Sequence, residues 1–205
     1  MLLVASAFIF LAYVLFDVNY YIRGIVTLFI AQIMCTRRRH SSEEIVTYGI
    51  CLPSDLDMFC HMNNARYLRE FEFARSFSLI IMGMFKACRE LKGTGVLSAV
   101  SVRYRRSISL FQVFRVRSKI VYWKDKDFYM EQHIETIHDS FVRAVCLSRL
   151  SMLNGLHVHD VLNKMSGGMN SPLPEPSEDL LLWIDSNQTS KKEPYYQEKN
   201  VRMLT

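Results

Sequence analysis

The chain has 205 residues, half of them apolar and 22% charged, which suits one globular domain with a proper core. Its net charge of +5 is too mild to require a nucleic-acid partner, and no recognition motif for one is present. Five cysteines (Cys35, Cys51, Cys60, Cys88, Cys146) at no metal-ligand spacing exclude a disulfide framework and a zinc site and fit free thiols on the reducing side of a membrane.

Met1 to Phe16 carries no charged side chain, and with "DVNYYI" it forms an apolar span of about bilayer length, flawed by Asp17 and Arg23. "GIVTLFIAQIM" continues as a second apolar stretch up to "CTRRRH". A cleaved signal starts with a positive region and ends at small residues, and neither feature is clear. Residues 1–34 therefore read as a retained membrane anchor, with a cleaved signal segment as the alternative. The nearby cations (Arg23, Arg37, Arg38, Arg39) all follow the first span, so the positive-inside rule puts the remainder in the cytosol. The sequon "NQT" at Asn187 to Thr189 supports the alternative, secretion.

"EEIVTYGICLP" reads as a strand ending at Pro53. After a polar stretch, Leu68, Phe71, Ala74, Phe77, Ile81, Phe85, Cys88 and Leu91 recur every three or four residues, the period of a helix. From Phe77 to Phe85 this helix is apolar almost all round, so it must be enclosed, with Gly83 marking a bend. Four strands follow. "VLSAVSVRY" puts Val96, Val100, Val102 and Tyr104 on one face. "VFRVRSKIVYW" puts Phe114, Val116, Ile120 and Tyr122 on one face and Arg115, Arg117 and Lys119 on the other. "DFYMEQHIETI" and "FVRAVCLSRLSML" complete an antiparallel meander through the short turns "KDK" and "HDS". The expected fold class is α+β: an antiparallel sheet wrapped around a long central helix, with the domain at 43–155.

Residues 156–205 form a C-terminal extension. It holds a short helix in "LHVHDVLNKM", a Gly/Pro/Ser-rich connector, a helix in "SEDLLLWIDSN" capped by Ser177, and a polar, disordered tail from Gln188. His157 and His159 lack a third ligand at sensible spacing, so no metal is expected.

The chemistry concentrates in "SDLDMFCHMNNARYL", Ser54 to Leu68, where two carboxylates, an imidazole and two carboxamides precede the helix. Each has a structural use: Asp55 and Asp57 as loop acceptors, Asn63 or Asn64 as N-cap, His61 as a satisfied histidine, Tyr67 as an aromatic anchor. Folding alone gives little reason to keep both aspartates. The helix start also offers free N–H groups and a positive dipole end, where a carbonyl would be polarised.

"DLDMFCHMNNARYLREFEFAR" resembles the D-x-D-x-x-G-H-x-N-N-x-x-Y-L signature of the 4-hydroxybenzoyl-CoA thioesterase-like and acyl-ACP thioesterase-like hotdog proteins, over about Ile45 to Leu153. With the apolar N-terminus, "RYRRS", "DFYMEQ" and "LLLWI", the likeness is nearest to an endomembrane-anchored animal subgroup, which implies the endoplasmic reticulum. The resemblance implies a hotdog homodimer with its site at the subunit interface and hydrolysis of an acyl-CoA or acyl-carrier thioester. Asp57 would be base or nucleophile, Asp55 support or second candidate, the Asn64 N–H the oxyanion donor, and His61 and Asn63 orienting groups. Tyr67, Arg103, Arg105 and Arg106 are substrate-binding candidates; the arginines, with Arg115, Arg117 and Lys119, would hold phosphates, although a solvated sheet face would look the same. No cofactor is implied. A non-catalytic hotdog that binds acyl-CoA or lipid, or serves as a membrane-tethered partner, is the alternative. Cys60, where the family has Gly, favours it.

Overall fold

The computed structural model describes residues 6, 10, 11, 13, 15–35, 43–165 and 175–192. Helices α1 (Val18–Met34), α2 (Asn64–Ile81), α3 (Met84–Glu90), α4 (Val158–Lys164) and α5 (Glu178–Lys192) accompany strands β1 (Ile45–Ile50), β2 (Gly95–Tyr104), β3 (Val113–Lys124), β4 (Asp127–Thr136) and β5 (Val142–Met152). The sheet is antiparallel, in the order β1-β3-β4-β5-β2. The β3-β4-β5 meander forms its middle, as alternation and short turns predict. Its inner face packs on α2.

Two apolar clusters fill the core. One, near the start of α2, gathers Met62, Tyr67, Phe71, Phe114, Val116, Ile134 and Cys146. The other, under α3 and α4, gathers Leu79, Met84, Ile120, Phe128, Met152, Val161 and further residues. Gly49 lets β1 approach the first cluster, because a Cβ there would lie 2.5 Å from the Phe114 ring.

Four local readings change. The central helix is two helices: Gly83 takes φ +81°, α2 ends at Ile81 and α3 starts afresh, so Phe85 turns outward and is exposed. A bulge between Ile120 and Tyr122 shifts β3 by one residue, so Trp123 rather than Tyr122 is buried. β2 is an edge strand on which Val96, Leu97, Val100 and Tyr104 are exposed, while Val102 is partly buried against the first cluster. At the C-terminus, Gln188 to Lys192 continue α5 rather than starting a tail, and Asn187 of the sequon lies inside that helix. Residues 193–205 and the connector at 166–174 lie outside the described residues. Leu180 is buried, and Trp183 packs edge-on against Tyr129 of β4.

Of the expected anchor, residues 1–5, 7–9, 12 and 14 lie outside the described residues, and its second half is α1. No described helix is long and apolar enough to cross a membrane. One side of α1 docks on α2: Ala31 is fully buried and Tyr20 stacks on Phe73 with centroids 5.4 Å apart. The Tyr20 hydroxyl donates to Glu72 at 2.7 Å. Asp17 and Arg23, the two flaws in the apolar span, are the polar clips of this interface. Asp17 caps α1 and pairs with Arg69 and, at 3.4 Å, with Arg66. Arg23 pairs with buried Glu70 and lies 3.5 Å from buried Asp55. The opposite side of α1 exposes Ile22, Ile25, Val26, Phe29 and Ile33.

Burial outweighs the attraction of Arg23 and raises the Glu70 carboxyl to about 7. The folded state therefore holds this proton more tightly than the unfolded chain does. The penalty is absent below the ordinary glutamate range, grows as pH rises, and is complete above about 7. Denaturant titrations should show wild type losing on the order of 3 kcal/mol between pH 4.5 and 7.5 relative to Glu70→Gln. Parallel pH profiles for the two proteins would refute this. A second prediction concerns Cys60, whose φ of +58° is the left-handed conformation that suits Gly. Cys60→Gly should raise stability by about 0.5–1 kcal/mol, the strain relieved less the entropy of Gly. An unchanged or lower denaturation midpoint would count against strain at this position.

Candidate functional site

The signature stretch folds as a small hairpin that leads into α2. Leu56 bridges Met62, and Met58 and Phe59 stand exposed at the tip. Asp57 organises the turn. Its N–H donates to the His61 carbonyl at 2.9 Å, and its Oδ1 accepts the N–H groups of Phe59 at 2.8 Å and His61 at 3.4 Å. Its Oδ2 makes no hydrogen bond among the described residues. Asp57 is partly exposed.

Asp55 has a different setting. It is buried at the end of a 3-10 turn (Pro53–Asp55), accepts Leu52 N–H at 3.0 Å through Oδ2, and faces Arg23 through Oδ1. Its carbonyl accepts the Asn63 N–H at 2.8 Å. These bonds hold the loop and leave Asp55 shielded from solvent.

Asn63 caps α2, its side-chain oxygen accepting the Ala65 N–H at 2.9 Å. The Arg66 N–H turns back to the Asn63 carbonyl at 2.8 Å. That leaves the N–H of exposed Asn64, the first helical residue, without a partner among the described residues. The Asn64 carbonyl accepts the Tyr104 hydroxyl at 3.0 Å, which ties the end of β2 to the start of α2. His61 is exposed on the same loop, and its backbone bridges Ser109.

Beyond Tyr104, Arg105 and Arg106 place their guanidinium groups over the Phe141 ring at 5.1 and 4.8 Å. Both are exposed, and neither has a carboxylate partner among the described residues. Arg103 is also exposed and lies 3.9 Å from Asp179. The structure thus brings Asp57, His61, Asn63, Asn64 and the basic end of β2 to one end of α2.

It separates the others. Tyr67 is buried, and its hydroxyl accepts the Ile108 N–H at 2.9 Å, pinning the 105–112 loop from inside the core. Burial pushes that hydroxyl up to about 12. Arg115 is engaged by Glu135 through two hydrogen bonds, and Arg117 by Glu44 through two more, on the outer face of the sheet. Lys119 is opposite Glu131 there. Paired charges account for Arg115 and Arg117. Sequence reasoning missed Arg23 as the partner of Asp55; its one signal was a cation interrupting an apolar run.

Comparison with known proteins was made against this geometry. Residues 51–160, over half of the chain, match the Thioesterase-like superfamily. The protein named THEM6 of Drosophila melanogaster is 39% identical over 181 residues, covering 88% of this chain and 92% of its own. The protein of that name in Danio rerio is 41% identical over 173 residues, covering 82% of each. Among solved structures, the E. coli protein titled YbaW Probable Thioesterase superposes with a TM-score of 0.55 at 23% identity, covering 59% of this chain and 98% of that one. Slr0204, a 1,4-dihydroxy-2-naphthoyl-CoA thioesterase from Synechocystis, gives 0.53 at 9%, covering 63% and 100%. The two superpositions establish the hotdog fold, and the match over 51–160 together with relatives sharing about two-fifths of their residues across most of their length places the chain in the Thioesterase-like superfamily.

Proposed function

We propose that the chain hydrolyses fatty acyl-CoA thioesters at the start of α2. The observation that carries this reading is the unpartnered Asn64 N–H at a helix N-terminus on the same short segment as Asp57, whose Oδ2 is free. A thioester carbonyl on that N–H would gain a donor and the dipole end as its oxygen becomes negative. Asp57, held by two loop N–H groups, attacks the carbonyl and expels the coenzyme A thiolate, leaving an anhydride that water hydrolyses, or takes a proton from the water that attacks the carbonyl and expels the same thiolate. His61 and Asn63 orient the water or the carboxylate, and Asp55 supports the loop from within. Arg105 and Arg106, with Arg103 beside them, hold coenzyme A phosphates.

The working unit in this reading is a homodimer joined along the uncovered edge of β2, since an exposed apolar edge invites a partner strand. The hotdog domain spans 43–155, with the segments 1–34 and 156–205 attached to it. The exposed apolar side of α1 supports membrane contact through the N-terminal segment. Arg37, Arg38 and Arg39 beyond it favour a cytosolic domain, on the endoplasmic reticulum by likeness to the anchored subgroup. A second reading keeps acyl-CoA or lipid binding without turnover. The structural bonds of Asp57 favour it, because they would preserve the residue in a silent site.

Release of free thiol from a panel of acyl-CoAs by the full-length protein is the decisive assay. Asp57→Asn should lower kcat by about 10²–10⁴. Asn64→Pro removes the candidate oxyanion donor at a helix position that tolerates proline, and should lower kcat by about 10²–10³ with little change in Tm. Arg105→Ala with Arg106→Ala should raise KM and spare kcat. No turnover in wild type, with acyl-CoA still raising Tm, would replace hydrolysis by the binding reading. Liposome flotation and sedimentation in detergent check the attachment and the assembly: a chain that neither floats nor dimerises would remove both.

A further inference from the structure

Arg75 of α2 sits in the interior, 7% exposed, midway between the two apolar clusters. Its Nη1 donates to Gln132 Oε1 at 3.3 Å; Gln132 in turn donates to the Phe71 carbonyl at 3.1 Å and to Ser118 Oγ at 2.9 Å. A guanidinium has five N–H donors, and among the described residues the others of Arg75 make no hydrogen bond. No described carboxylate pairs with it. Glu72 is close enough to be felt electrostatically, but its carboxylate accepts the Tyr20 hydroxyl instead. Burial pulls Arg75 below the ordinary arginine range. A buried cation without a counter-charge costs several kcal/mol, so an occupant that supplies one is strongly favoured.

Arg75 also lines a cavity of about 380 Å³ between α2, α3 and the β2 edge. The other walls include Leu79, Met84, Phe128, Leu150 and Met152. Exposed Thr94 and Leu97 form part of its rim, as does exposed Arg89, a second cation that would attract an anion from solvent. The cavity therefore presents long apolar walls and one buried cation with spare donors, which selects for an apolar chain ending in a carboxylate.

We propose that this cavity binds a long-chain carboxylic acid with its carboxylate on Arg75. A planar guanidinium meets a carboxylate through two parallel hydrogen bonds, and the chain replaces water along the apolar walls. The proposal does not rest on thioester turnover, because occupancy of this cavity is independent of chemistry at Asp57. The carboxylate has two sources: a free fatty acid, or the far end of an acyl chain carrying a second carboxyl group.

The test is calorimetric titration of full-length protein in nanodiscs, against empty nanodiscs, with dodecanoate and 1-dodecanol. The two probes share a chain and differ in the carboxylate. Dodecanoate should bind about tenfold to a hundredfold more tightly, the value of a charged hydrogen-bonded contact. Arg75→Met should remove that preference, Arg75→Lys should retain part of it, and Arg89→Met should leave most of it. Thr94→Trp, at an exposed rim position, should abolish binding of both probes with the fold intact. It decides the matter if Arg75→Met fails to fold. Equal affinity for the two probes in wild type, no binding of either, or dodecanoate binding that survives Thr94→Trp would overturn the proposal. Dodecanoyl-CoA with and without a terminal carboxyl group separates the sources: an Arg75-dependent gain from that group assigns the far end of an acyl chain, and its absence with dodecanoate still bound assigns the free acid.

Discussion

The guanidinium of Arg23 between two buried carboxylates is the interaction on which the site end of the molecule depends. Asp55 and Glu70 both lie inside, one on the loop before α2 and one on its second turn. Two carboxylates desolvated together repel each other, and Asp55 adds to the cost of ionising Glu70. A cation reaching both from α1 makes the arrangement tolerable. Removing it would leave Glu70 buried without its ion pair, a loss that typically costs about 3–5 kcal/mol, and Asp55 with Arg66 alone at 4.0 Å. The loop holding Asp57 is thus braced from behind by a helix that precedes the domain in sequence.

That brace divides labour between the two aspartates of the signature. Asp55 accepts a backbone N–H, faces Arg23 and holds the Asn63 N–H through its carbonyl. It fixes where α2 starts. Asp57 spends one oxygen on the turn and keeps the other. A carboxylate that must act on a ligand needs both conditions, a locked position and a free lone pair, and of the two only Asp57 meets them. Cys60 belongs to the same turn. Its left-handed backbone is one that Gly, the residue of the resembling signature at this place, adopts without strain.

The architecture was legible because its signals are local. The meander follows from alternation and short turns, and the enclosed helix from a segment, Phe77 to Met82, in which only Ser78 is polar. The signature located the site because its residues lie on one hairpin and one helix start. What stayed hidden depends on distant partners. Nothing near Arg115 or Arg117 in sequence announces Glu135 or Glu44, so paired charges looked like free ones. Tyr67 reads as a site aromatic until the Ile108 N–H is seen to occupy its hydroxyl. A single-residue bulge near Val121 exchanges Tyr122 for Trp123 without a Gly or Pro to mark it. Asp17 and Arg23 looked like defects in an apolar span because the surface they clip to lies some fifty residues further along the chain.

β2 draws these threads together. Its end supplies Tyr104, which holds the Asn64 carbonyl, and leads into Arg105 and Arg106. Its start supplies Gly95 and Leu97 to the cavity that Arg75 lines. Between them it has one neighbour, β5, and an uncovered apolar edge. An edge strand of this kind is unfavourable for a lone chain in water, and an edge in contact with both the helix start and the cavity cannot be remodelled without disturbing each. Anything that covered β2 would therefore bear at once on the geometry at Asn64 and on the mouth of the cavity.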